Sequence, residues 1–596
     1  MKGKSLQIKK YTKYEIALVV IIAASLFSII YGFAFRKEGW HSDEVWSYGF
    51  ANSYYKPNIY KDVDGKTDNI NEWVNSKELN DYIEVNNGER FAFDSVYNNQ
   101  INDLSPPLHS MILHAICSLF PNTFSWWYSF AINILSFIVC MVYLYKTAIV
   151  IKNNNLGIIC CILYGLSLAA RETYIYLRMY AMCTALLMIL LYNVATYVTN
   201  DEQKNVLNKN LVGILIVSFL MFLTHYYMIP LVGLITLGVC SILLFGKKIK
   251  KAILYGIAQL ASLFVSFALF PSVLNIFLSH QTRVDNAVAA SLDYKLSVKI
   301  KVLVGFITYK LYGIHIYALT DLSWIKIGFV TIVCLMIVVM PVLYLIRETK
   351  FMTKFVGGIK SLLEFLRIWV RSVNKLYFLI LFVVIGQIIV VAMTSQMNYM
   401  GWDEGRYIMY LYPMATLFFV GVIYVILEKI RKIKVRKLCT YIIVLFVLAV
   451  NIFFRYIDRY YYYPQYIQGE SLQDVVKNKK CIFVSDSNWA IVYMTPILRY
   501  TDEYFQTWNE DYNKYGELYK EKSKEDVVII IDESELREID SMQKMGAVYE
   551  KDSLKQTQSK YADIIEYYKK LYSADKCEKV STESVFLHRM VAYELK

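Results

Sequence analysis

Charge is scarce in this sequence. Asp, Glu, Lys and Arg make up 19% of its 596 residues, while hydrophobic residues make up 56% and aromatics 16%. A soluble chain of this length needs roughly a quarter of its residues charged to cover its surface, so a cytosolic globular enzyme is excluded. Proline is rare at 10 and glycine ordinary at 25, which excludes collagen-like and disordered classes. There is no C-x-x-C pair and no His/Cys cluster, hence no structural zinc site. No G-x-G-x-x-G follows the strand-like runs near the C terminus, so no nucleotide site is expected there. Eight of the ten cysteines lie in or near apolar runs and read as packing residues. Cys481 and Cys577 share the C-terminal region, where a disulfide between them is one option.

Present instead are repeated uncharged runs of membrane length. The net charge of +13 is unevenly spread: Arg36–Ser105 holds 13 acidic and 7 basic residues, and Ile457 to the end holds 25 acidic and 20 basic. These segments carry −6 and −5, so the rest of the chain carries +24. That surplus lies in short clusters between apolar runs, which is the positive-inside pattern and not a nucleic-acid patch. The chain is read as a polytopic α-helical membrane protein embedded in a lipid bilayer, with no nucleic-acid partner.

About 20 apolar residues cross a hydrocarbon core, and this length predicts about 11 spans. The lysine-rich start places the N terminus in the cytoplasm, and Ile16–Phe35 reads as an uncleaved first span. A large first external loop, 36–105, follows. Further spans are Trp126–Tyr145, Leu156–Ala170, Met179–Val198, Ala252–Phe270, Trp324–Ile346, Leu376–Ala392, Tyr407–Leu427 and Cys439–Phe454. Asn210–Gly246 is uncharged for 37 residues, or about 55 Å as helix. That is too long for one span, so a hairpin is expected, with Thr224–Pro230 as its external tip. Lys295–Tyr317 is either a surface helix or a buried element, and Arg347–Lys375 reads as a cytoplasmic amphipathic helix. Tyr460–Tyr463 suits an interfacial aromatic belt. Residues 1–456 thus form the membrane domain. Residues 457–596 form an extracytoplasmic α/β domain, whose buried strands are expected at Cys481–Ser485 and Val527–Ile531. The location expected is a bacterial plasma membrane.

Five polar features fall on the external side of this topology. Asp43 and Glu44 form an acidic pair among the aromatics of Trp40–Tyr48; neighbouring carboxylates raise one another's pKa, which suits one to general-base work. Asp103 and His109 flank Pro106-Pro107, where Asp103 is a candidate helix cap. Arg171, Glu172 and Arg178 sit at an outer edge where arginine is less expected, His225 lies in the hairpin tip, and Asp403-Glu404-Gly405-Arg406-Tyr407 precedes a late span. Carboxylates to deprotonate an acceptor and arginines to grip phosphate suit transfer from an anionic lipid-linked donor. The acidic pair also suits a divalent cation held by oxygen ligands.

On these residues the chain resembles a GT-C superfamily glycosyltransferase of the protein O-mannosyltransferase and aminoarabinose-transferase type. The matching features are the acidic pair in the first external loop, the Pro-Pro-Leu segment before the second span, and the external Arg-Tyr before a late span. The resemblance covers about Lys10 to Leu427. It implies a GT-C-like fold, Asp43 as catalytic base with Glu44 beside it, and Arg406, Arg178 and Arg171 binding the donor's phosphate. It implies substrate contacts from Asp103, His109, His225 and Tyr407. Many relatives carry His just before the Pro-Pro; here that position is Ser105, and the role passes to His109 or is lost. The function implied is inverting transfer of a sugar from a polyprenyl-phosphate donor to an extracytoplasmic protein, polymer or lipid. The alternative is a transporter or flippase of lipid-linked sugars, which calls for ionisable residues near the membrane midplane.

Overall fold

The computed structural model describes residues 12–60, 69–103, 105–199, 209–272, 296–313, 374–394, 402–457, 467–536, 551–586 and 588–596. The expected span Trp324–Ile346, nearly all of Arg347–Lys375, and Tyr460–Tyr463 lie outside these residues. The chain divides into two compact units. One is Met1–Gly32, Leu104–Pro106 and Phe130–Asp458; the other is Phe33–Asp103, Pro107–Ser129 and Arg459–Lys596. Composition divides the chain at residue 457, whereas contacts gather most of the 36–105 loop with the C-terminal region.

The helical unit has the multi-pass architecture expected. Among the described residues eight helices are long and apolar enough to cross a membrane: Lys13–Phe35, Trp126–Ile151, Tyr180–Thr199, Met228–Phe245, Ile249–Leu269, Lys375–Thr394, Gly405–Glu428 and Ile433–Phe453. The expected span Leu156–Ala170 is not straight. It forms two helices, Asn154–Gly165 and Leu168–Ile175, bent by 62°. Ser167 causes the break, its Oγ capping the Ala170 amide at 3.1 Å. Close packing at the bend needs glycine, since a Cβ on Gly165 would lie 2.6 Å from Ser25 Oγ. The uncharged 37-residue run is a helical hairpin of Lys209–Phe222 and Met228–Phe245, broken around His225. The ambiguous Lys295–Tyr317 stretch contains a helix, Leu296–Tyr312, with Lys299 and Lys310 buried. Asn451 knits these pieces together, its Nδ2 donating to the Leu311 carbonyl (3.0 Å) while its Oδ1 accepts from the Leu168 amide (3.3 Å).

The mixed unit contains a seven-stranded sheet of β1 Trp73–Asn75, β2 Ile467–Gly469, β3 Lys480–Ser485, β4 Glu503–Trp508, β5 Val527–Asp532, β6 Cys577–Val585 and β7 His588–Leu595. Their order is β1-β4-β3-β5-β7-β6-β2. β3 is internal and pairs in parallel with β4 and β5; the other pairings are antiparallel. The apolar runs of β3 and β5 are buried along both faces, as a covered parallel sheet requires. Ile482, Val484, Ile529 and Ile531 share one face and pack with Tyr561, Ile564 and Tyr568 of the helix Lys551–Leu571. β1 comes from the first loop and pairs with β4, Val74 opposite Tyr504, and this ties the loop into the C-terminal sheet. Cys481 and Cys577 are both free thiols; their strands are separated in the sheet by β5 and β7.

Candidate functional site

The acidic pair opens the helix Ser42–Asn52 of the mixed unit. His41 caps it: His41 Nδ1 accepts the Asp43 amide hydrogen (2.8 Å), and Glu44 Oε2 accepts the His41 amide hydrogen (2.9 Å). This is a reciprocal capping box. The other Glu44 oxygen takes the Lys37 ammonium, and both side chains are wholly buried. Burial pulls the Lys37 ammonium below its ordinary pKa, against the opposing pull of Glu44. Both Glu44 oxygens are therefore engaged within the protein, so a substrate-orienting or cation-holding role does not suit it. Asp43 differs, with 25% of its side chain exposed. The helix packs tightly on its far side because residue 49 is glycine; a Cβ there would lie 2.1 Å from the Tyr82 ring.

His109 is buried at the second position of the helix Leu108–Cys117. Asp103 is not that helix's cap. The cap position is Pro107, and Asp103 ends the preceding helix, Phe93–Asp103. Asp103 lies four residues before that cap position, within the preceding helix. Among the described residues no group of three or more His, Cys, Asp or Glu is placed to hold a metal ion.

The helical unit gathers a second set. Arg406 lies on the short 3₁₀ stretch Trp402–Leu411, and its guanidinium donates to the phenols of Tyr407 (3.1 Å) and Tyr176 (3.5 Å). Tyr176 stacks on Tyr180 at 5.9 Å. Tyr180 meets His225 at 5.4 Å and Tyr407 at 6.4 Å, and His225 stacks on Tyr227. Burial, and then the charges of Arg178 and Arg406, hold the His225 imidazole far below its ordinary pKa, at about 3. Both guanidinium groups therefore bear on one neutral imidazole inside a wall of tyrosines. Gln387 fixes that wall, donating to the Tyr227 carbonyl (3.0 Å) and the Tyr410 phenol (2.8 Å).

The structure thus brings Arg178, His225, Arg406 and Tyr407 together from three separate stretches of sequence. Arg171 is turned differently: its aliphatic stem lies 3.1 Å from where a Cβ on Gly32 would stand. Its neighbour Glu172 forms a buried ion pair with Lys310. The side chains of Asp403 and Glu404 lie outside the described residues. Lys37, Lys310, Asn133, Tyr176 and Tyr410 are contributors that sequence reasoning did not single out. Asn133 Nδ2 donates to the Tyr174 and Tyr176 carbonyls (3.0 and 2.7 Å), holding the turn that leads into Arg178. A lone Asn inside an apolar run is the signal that could have found it.

No protein-family model and no curated protein matches the chain significantly. Among solved structures, it is similar to the S. cerevisiae protein O-mannosyltransferase Pmt1-Pmt2 complex bound to the sugar donor. The identity is 16% and the TM-score 0.31, over 46% of this chain and 35% of that one. ArnT from Cupriavidus metallidurans in the apo state is similar at 9% identity and TM-score 0.47, over 98% of each chain. ArnT bound to undecaprenyl phosphate is similar at 9% identity and TM-score 0.46, over 96% of this chain and 97% of that one. The chain therefore spans about a third of the length of the yeast chain it matches and nearly all of the bacterial one. Both kinds of transferase named by the sequence resemblance occur among these similar structures. These three TM-scores lie below 0.5, so the functional reading rests on this chain's own residues.

Proposed function

We propose that this chain is a membrane glycosyltransferase that moves a sugar from a polyprenyl-phosphate donor to a hydroxyl of an extracytoplasmic acceptor. The observation that carries the reading is the convergence of Arg178 and Arg406 on neutral His225 among Tyr176, Tyr180, Tyr227 and Tyr407. Paired guanidinium groups suit a phosphate, which they bind in a planar fork. The neutral imidazole adds a hydrogen-bonding group without a further charge, and the tyrosine rings offer apolar faces with polar rims.

Transfer proceeds as a single displacement. The Asp43 carboxylate removes the acceptor hydroxyl proton as its oxygen forms a bond to the anomeric carbon. The bond from that carbon to the phosphate oxygen breaks, and the phosphate leaves with the electron pair, its charge held by Arg406 and Arg178. The configuration at the anomeric carbon inverts. Glu44, paired with Lys37, sets the capping box that presents Asp43 and takes no part in the proton transfer. The net negative charge of the first loop and C-terminal segment, against the positive remainder, supports an extracytoplasmic location for both in a bacterial plasma membrane.

The test compares wild type with Asp43→Asn, each purified and shown to be folded, supplied with radiolabelled polyprenyl-phosphate hexoses and a membrane extract as acceptor. Label moving from lipid to acceptor in wild type alone is the expected result, and the labelled product identifies the acceptor. Equal transfer by both variants removes Asp43 from the mechanism. No transfer by either, with movement of the lipid-linked sugar across vesicles, replaces this reading with transport.

A further inference from the structure

Within the mixed unit, beside the Asp43 helix, lies a cleft of about 310 Å³, within the size range of small-ligand sites. Trp40, Trp126, Tyr500 and Phe586 contribute rings to its lining, and Gln473 and Arg499 contribute polar groups. The indoles of Trp40 and Trp126 are stacked with centroids 3.8 Å apart, and this fixes that wall. Tyr500 and Gln473 are exposed at the rim. Arg499 is paired with Glu84, yet its Nη1 is buried without a hydrogen-bond partner among the described residues. An unmet buried donor destabilises the fold, so a ligand oxygen at that point restores what folding gave up.

Phe586 connects this cleft to the acidic pair. Its ring lies 4.7 Å from His41, the residue whose Nδ1 accepts the Asp43 amide hydrogen. Phe586 also holds a left-handed backbone, φ 46°, at the turn after β6. That conformation is unfavourable for a residue with a side chain, and it persists where surrounding contacts impose it. The ring is therefore held between the cleft and the cap of the catalytic helix at some expense to the fold.

The ligand chemistry follows from the lining. Aromatic faces take the C–H faces of a pyranose, while an amide and a guanidinium bond its hydroxyls. Strong attraction for an anion is absent, because Glu84 offsets Arg499 and the Glu583 carboxylate also lines the cleft. We propose that this cleft is a subsite for an uncharged saccharide, part of the acceptor that receives the transferred sugar. The acceptor assignment rests on the reading of Asp43 as the base; saccharide binding itself does not.

Calorimetric titration of the full chain in detergent tests the binding directly, using maltotetraose, tetra-N-acetylchitotetraose, tetragalacturonate and a serine-rich peptide. Saturable binding of at least one neutral tetrasaccharide is expected. The double variant Gln473→Ala/Tyr500→Ala, at rim positions, should weaken it by about tenfold or more with the melting temperature unchanged, while Asp43→Asn should bind as wild type does. No binding of either neutral sugar, stronger binding of tetragalacturonate or of the peptide, or full affinity in the double variant would overturn the proposal. If Asp43→Asn transfers label normally while the neutral sugar still binds at the rim, the transferase mechanism fails and the saccharide site stands.

Discussion

Glu44 and Lys37 form an ion pair in which neither side chain is exposed, one residue away from the partly exposed carboxylate of Asp43. Two adjacent acids therefore have opposite consequences when altered. Removing one partner of a buried pair leaves an uncompensated charge, at a cost of about 3–5 kcal/mol. Glu44→Gln should lower stability by that order, seen as a lower melting temperature of the purified protein. Asp43→Asn should change stability by less than about 0.5 kcal/mol, as a substitution at an accessible position does. Equal melting temperatures for the two variants would contradict this division of roles.

Arg406 presents a planar fork between the phenols of Tyr176 and Tyr407. Arg406→Lys keeps the charge and loses the fork. Donor KM should rise by about tenfold, the worth of a charge-assisted hydrogen bond. Arg178→Lys should act in the same direction. The double variant should fall short of the summed effects, because both groups bear on one imidazole. Unchanged donor KM in both single variants would remove the arginines from donor binding.

His225, in the turn between two helices, has its imidazole held at about 3 against an ordinary 6.5. It stays neutral across pH 5–8, so donor affinity should be flat over that range with respect to this residue, and His225→Gln should leave the profile's shape unaltered. The stability consequence has a definite sign. A depressed folded pKa means that the unfolded chain takes up the proton first, so stability is complete above about 6.5 and falls as pH drops toward 3. His225→Gln should flatten that acid limb in a denaturation series. A slope identical to wild type would place the imidazole in water.

Cysteines introduced at Lys77 and Gln473, both exposed, should react with an impermeant thiol reagent added outside intact cells. One at exposed Lys432, in the basic link before the helix Ile433–Ile457, should not. Labelling at Lys432 from outside would invert the topology.

The apolar runs made the long helices readable, since helix length follows directly from the thickness of a bilayer. Asn210–Gly246 shows this well: its length alone demanded a hairpin, and the break falls at His225. The strands β3 and β5 were equally plain as buried apolar runs. What could not be read was local capping and long-range pairing. Ser167 turns one expected span into a bent pair, Glu44 is spent on Lys37, and Lys310 finds Glu172 across 138 residues of chain. Composition marked the polar residues at the outer edges as unusual, but partners so distant in sequence leave no local pattern. β1 was missed for the same reason, being three residues that become a strand only against β4.

That pairing has a consequence for how the protein is made. Trp73–Asn75 leaves the ribosome more than four hundred residues before Glu503–Phe505, the residues it must hydrogen-bond. At about 5–20 residues per second, the early segment waits roughly 20–90 s for its partner. Throughout that interval the helix bearing Asp43 lacks the sheet that belongs to the same compact unit. The order of synthesis thus acts as a safeguard: a truncated chain has its membrane helices but cannot complete the fold around its acidic pair.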